Sequence, residues 1–157
     1  SAILDDSMED PFDRYALFES VKGTKNIAMI GFTTDCDVFG GFYSVVVTKQ
    51  DKEFFDPSIF AFSFESHGRC KTPQRFPVKD KMRKEVHVEF SKEIFFGFVE
   101  FRADESWFAL ADDTTLSYCV NLSDGFDGLR DTTLSGKSGI KADGVHFCAR
   151  LVAVQLL

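Results

Sequence analysis

Apolar residues in this chain recur at every second position over short runs, and polar turns separate the runs. Asn26 to Phe32 is apolar on both alternations, a polar interruption follows at Thr33-Thr34-Asp35-Cys36-Asp37, and Val38 to Thr48 forms a second β-rich run. This order predicts a hairpin whose first strand lies centrally in a sheet, with Gly40-Gly41 marking a bulge or a close backbone contact. After a charged connection from Lys49 to Pro57, Ile59 to Glu65 alternates with Phe60, Phe62 and Phe64 on one face. Those three rings, with Ile27, Met29, Val99 and Phe101, are the expected filling between two sheets. Val86 to Phe90, Phe95 to Arg102 and Trp107 to Ala111 read as a meander, Ser117 to Leu122 as a further strand, and Val145 to Leu157 as the closing strand. Ser123 to Gly144 carries five glycines and reads as a long connecting or functional loop.

Near the start, Phe12, Tyr15, Phe18 and Val21 recur every three residues, between Asp10-Pro11 and Gly23. Asp10 suits an N-cap, Pro11 the first helical position and Gly23 the stop, so a short helix is expected here. Strands follow one another without strand-helix alternation. The expected fold is therefore a single mainly β domain over residues 1–157, a β-sandwich of two antiparallel sheets with that N-terminal helix and few others.

Composition narrows the function classes. The 157 residues are 44% hydrophobic and 27% charged, a globular balance, and the 19 phenylalanines supply aromatic mass for sheet faces. No apolar run approaches the roughly 20 residues of a membrane-spanning helix, so membrane insertion is not expected. A formal charge of −7 repels nucleic acid and anionic lipid over the molecule as a whole. Against that background, seven of the 18 basic residues lie between positions 69 and 84: Arg69, Lys71, Arg75, Lys79, Lys81, Arg83 and Lys84. Pro73 and Pro77 confine this segment to a loop or an edge strand. It is the expected partner-binding surface, fitted to a protein partner and, as a third reading of function, to regulatory contact with nucleic acid.

Motifs for chemistry are sparse. Ser135-Gly136-Lys137-Ser138 ends like a phosphate-binding loop, but Asp131 stands where that loop needs its first glycine. The acids before Pro11 lack the alternating ligands and central glycine of a calcium loop. His67, Cys70, Cys119, His146 and Cys148 are the residue types of a zinc or thiol centre, and a thiol- or metal-dependent enzyme is the second reading. Their spacing matches no metal signature, Cys119 and Cys148 read as small core hydrophobes, and the expectation is no cofactor and no stoichiometric metal.

Taken in order, several segments carry a resemblance. Asn26-Ile27-Ala28-Met29-Ile30-Gly31-Phe32 with its Asp-bearing turn, Val38-Phe39-Gly40-Gly41-Phe42-Tyr43-Ser44, Ile59 to Phe64, and Arg150-Leu151-Val152-Ala153-Val154-Gln155-Leu156 together resemble the TLDc domain. Ile3-Leu4-Asp5-Asp6-Ser7 before a short helix is similar to divergent protist members. Phe96 to Glu105 departs from the pattern, with one glycine where the family has a glycine-rich stretch. The resemblance covers essentially the whole chain and implies a two-sheet antiparallel sandwich. It also implies a non-enzymatic interaction module, cytoplasmic or nuclear, that protects against oxidative damage or regulates a partner such as the vacuolar proton pump.

Overall fold

The computed structural model describes residues 2–5, 16–33, 35–92, 97–111, 118–136 and 148–156. Among these residues, eleven strands form two antiparallel sheets. The six-stranded sheet has the order β1 (Ala2–Asp5), β11 (Cys148–Gln155), β2 (Ile27–Thr33), β3 (Val38–Tyr43), β5 (Phe60–Glu65), β6 (Gln74–Pro77). The five-stranded sheet runs β10 (Tyr118–Val120), β9 (Ser106–Ala111), β8 (Gly97–Ala103), β7 (Val86–Lys92), β4 (Glu53–Phe55). No helix among the described residues is long and apolar enough to cross a membrane.

The sheets face each other across one aromatic core. Tyr43 of β3 lies 5.8 Å from Phe90 of β7 and 6.3 Å from Phe101 of β8, centroid to centroid, and Phe101 stacks on Phe108 of β9 at 4.9 Å. Small residues opposite make room for these rings. A Cβ at Gly41 would fall 2.8–2.9 Å from the Phe108 and Phe101 rings, and Ala61, paired with Gly41 on β5, is fully buried beside it. Large side chains on one sheet thus fill the space left by small ones on the other.

That complementarity corrects one expectation. Ile27, Met29, Val99 and Phe101 are buried between the sheets as the alternation indicates. Phe60, Phe62 and Phe64 instead point to the outer face of the six-stranded sheet, because Ile59 and Ala61 take the inward positions of their strand. Phe62 still loses nearly all its exposure by lying over Gly40, whereas Phe64 remains 49% exposed.

Other boundaries differ for local reasons. The second strand stops at Tyr43 rather than Thr48, because the Ser44 and Val45 amides turn to donate to the buried Asp56 carboxylate. The charged connection contains β4, which joins β7 at the sheet edge. The segment after β10 is not an open loop over its first part. Helix α2 (Leu122–Gly125) begins it, and Phe126, Leu129 and Leu134 are buried; the rest of that expectation, 137–144, and the first three residues of the expected closing strand lie outside the described residues. Helix α1 (Ala16–Val21) buries Leu17, Phe18 and Val21 and ends at Gly23 with φ +76°, a left-handed stop. The expected cap at Asp10-Pro11 lies outside the described residues.

Candidate functional site

The outer face of the six-stranded sheet is itself apolar. Alternation sends Ala28 and Ile30 of β2, Phe42 of β3 and Val154 of β11 outward, where they meet the three rings of β5. Pro73, Gln74 and Arg75 wall one side, and Leu156 closes another. The resulting groove encloses about 480 Å³. Phe42 and Phe60 stack at 4.9 Å, and Phe62 and Phe64 sit 4.9 Å apart at a tilt, so the floor is one continuous aromatic surface. Phe64 and Leu156, 49% and 42% exposed, leave its rim open to solvent.

Among the described residues that line the groove, Arg75 is the sole formal charge. Its guanidinium lies 5.4 Å from the centre of the Phe60 ring, which holds the planar group along the wall with its donor edges available. The basic segment therefore enters the site through its edge strand, β6, the position that Pro73 and Pro77 dictate.

The other six basic residues are distributed. Arg69 donates to the Thr133 and Leu134 carbonyls at 3.0 and 2.9 Å and pairs with Asp37 at 2.8 Å, which makes it a clamp between the β2–β3 turn and the segment after α2. Lys79 donates to the Ser123 carbonyl at 2.6 Å, and Arg83 pairs with Asp80 at 2.8 Å. Lys71, Lys81 and Lys84 are exposed, and Lys84 lines a second, polar cleft on the other sheet. Arg69 and Lys79 thus hold separate segments of the molecule together, and Arg83 pairs within its own turn.

Among the described residues, His67, Cys70 and Cys119 do not come together as a ligand group either. His67 binds Asp37 through Nδ1 at 2.7 Å. Cys70 is half-buried and its thiol reaches the Ser66 hydroxyl at 3.5 Å. Cys119 is fully buried on β10, and burial pushes its thiol up to about 12, opposed in part by the Ser135 hydroxyl 3.9 Å away. A group held so far from ionisation is a core hydrophobe rather than a nucleophile at neutral pH. His146 lies outside the described residues, and Cys148 opens β11 opposite Thr33.

Alternation along β5 and β2 was the available signal for the groove. It locates the rings on one side but leaves open which side faces the second sheet. No family model matches this chain, and comparison with curated proteins finds no match.

Proposed function

We propose that this chain is a non-enzymatic interaction module that docks an amphipathic segment of a partner protein in the apolar groove. Apolar side chains of the partner lie against Phe42, Phe60 and Phe62, and a carboxylate at the segment's edge meets Arg75. The observation that carries this reading is an open aromatic surface with Phe64 half-exposed and one guanidinium at its wall. Contiguous exposed apolar surface rimmed by polar groups is characteristic of interaction sites, whose centres are rich in aromatic residues and arginine. An acidic molecule with a local cation at the groove favours an acidic edge on the partner.

The resemblance to the TLDc domain supports the same class. On that basis we propose a cytoplasmic or nuclear role in protection against oxidative damage or in regulation of a partner such as the vacuolar proton pump. Nucleic-acid contact through residues 69–84 has less support, since Arg69, Lys79 and Arg83 are engaged with acceptors in the protein.

Capture from the native cell with four forms of the intact chain tests the reading. The wild type and Lys81→Glu are expected to retain a common partner that Phe64→Asp and Arg75→Glu lose. Equal capture by all four forms would place the docking surface elsewhere.

A further inference from the structure

The outer face of the five-stranded sheet assembles a different kind of site. Strand β7 turns Val86, Val88 and Phe90 into the core, so His87, Glu89 and Ser91 point outward. Across the edge, Glu53 of β4 pairs directly with Glu89, and on the inner side Glu89 pairs directly with Glu100 of β8. Three carboxylates consequently stand in one row over three neighbouring strands. Like charges in directly opposed positions destabilise a sheet unless something positive lies between them.

Arg102 supplies one positive charge and is committed to one side of the row. Its Nε lies 3.5 Å from Glu100 Oε1, and its guanidinium stacks 4.2 Å from the centre of the Trp107 ring. Among the described residues, three carboxylates against one guanidinium leave two negative charges, concentrated at Glu53 and Glu89. The adjoining cleft, about 390 Å³, adds Glu85, Asp104 and Glu105 against Lys84, so the surrounding field also attracts cations.

His87 faces this uncompensated pair. Its Nε2 is buried, makes no hydrogen bond, and lies 3.6 Å from Glu53 Oε1. A buried imidazole nitrogen without a partner calls for an explanation, and an ion is one of the few available. Burial lowers the imidazole's pKa, opposed by Glu53 and Glu89 and reinforced by Arg102.

We propose that Glu53, His87 and Glu89 form a divalent-cation site, suited to zinc, on the outer face of the five-stranded sheet. One ligand atom from each of the three lies within 4.8 Å of the others. Two ligands bound about 2.0–2.1 Å from a tetrahedral centre are about 3.4 Å apart, close to the 3.6 Å between His87 and Glu53. The exposed Glu53 side chain has freedom to close the remaining gap. Ser91 donates its hydroxyl to Glu89 Oε2 at 2.7 Å, fixing that carboxylate from behind as outer groups around metal ligands commonly do. One imidazole and two carboxylates suit a borderline first-row ion, and three protein ligands leave a fourth position for water or for an acidic group on another molecule. This set shares no member with the His67, Cys70, Cys119, His146 and Cys148 group.

Titration of the chelator-dialysed full chain with zinc by calorimetry tests the site. One zinc per chain is expected, weakened at least about tenfold by each of Glu53→Gln, His87→Gln and Glu89→Gln and unchanged by Glu105→Gln. Cobalt in place of zinc is expected to give tetrahedral visible absorption without thiolate charge transfer. Stoichiometric binding insensitive to Glu53→Gln, binding lost with Cys36→Ser, or no binding at all would each overturn the proposal. Glu53 is 64% exposed, so its Gln variant tests the site even if the His87 variant fails to fold.

Discussion

The Arg69 guanidinium places Nη2 2.8 Å from Oδ1 of Asp37, a carboxylate whose side chain is only 2% exposed. Asp37 closes the β2–β3 turn, its amide accepted by the Thr33 hydroxyl and its carbonyl accepting the Thr33 amide. Arg69 carries that anchor across to the Thr133 and Leu134 carbonyls, while Arg130 reaches back to the Arg69 carbonyl at 2.9 Å. One side chain thereby joins three segments distant in sequence.

Removing it leaves a buried carboxylate with less compensation. Arg69→Ala is expected to lower stability in urea by about 3 kcal/mol, with Arg69→Lys recovering only part because an ammonium cannot span the same acceptors. A loss below about 0.5 kcal/mol would mean that Arg69 acts at the surface instead. Partner capture by an Arg69 variant is informative only beside its measured stability.

The space between the sheets and the outer face of the six-stranded sheet give a second test. Phe101, fully buried between the sheets, should cost about 3–5 kcal/mol when cut to Ala. Phe64, half-exposed on the outer face, should cost less than about 1 kcal/mol. Equal losses in thermal or urea unfolding would contradict the assignment of Phe64 to an open groove.

How far these features were legible in the sequence follows from the range of the interactions behind them. The β2–β3 pair and the β7–β8–β9 meander are built from strands only a few residues apart in sequence, and local alternation finds them. The direction of Phe60, Phe62 and Phe64 depends on where Phe101 and Phe108 lie in the other sheet, which period-two alternation does not encode. Pro73 and Pro77 did mark an edge strand, and β6 is at the end of its sheet. The pairing of Glu53 with Glu89 arises from register between strands far apart in the chain, so no spacing rule exposes it. The engagement of Arg69 and Lys79 was likewise hidden, because their acceptors are backbone carbonyls in a segment that its glycines mark as loop.

Gly40 tests the close approach that its position suggested. A Cβ there would fall 1.8 Å from the Met29 carbonyl oxygen on the paired strand and 2.9 Å from the Phe62 ring. Because the nearer obstacle is backbone, Gly40→Ala must distort the β2–β3 ladder, and a loss of about 3 kcal/mol or more is expected. Amide exchange in β2 should accelerate along with it. A variant as stable as the wild type would show that the two strands can separate locally without penalty.

Cys119 gives the stability of this protein a definite alkaline dependence. Its thiol ionises from an ordinary value of 9.0 in the unfolded chain and is pushed up to about 12 by burial in the fold. Between those values the unfolded chain has released a proton that the folded chain keeps, so the free energy of unfolding falls as pH rises. Stability is therefore unaffected by this group below about pH 9, falls by roughly 1 kcal/mol by pH 10, and continues to fall toward pH 12. Tyr43, also raised by burial, acts in the same direction above its ordinary value of 10.0, which makes Tyr43→Phe the necessary background. In that background, urea midpoints measured from pH 8 to 10.5 should decline more steeply with Cys119 than with Cys119→Ala. At pH 8 the native thiol should also resist a disulfide reagent that modifies the exposed Cys36 at once, and should become reactive when the chain is unfolded. Parallel pH profiles for the two forms, or prompt modification of Cys119 in the native protein, would show that the thiol reaches solvent and that the end of the core under β10 is open.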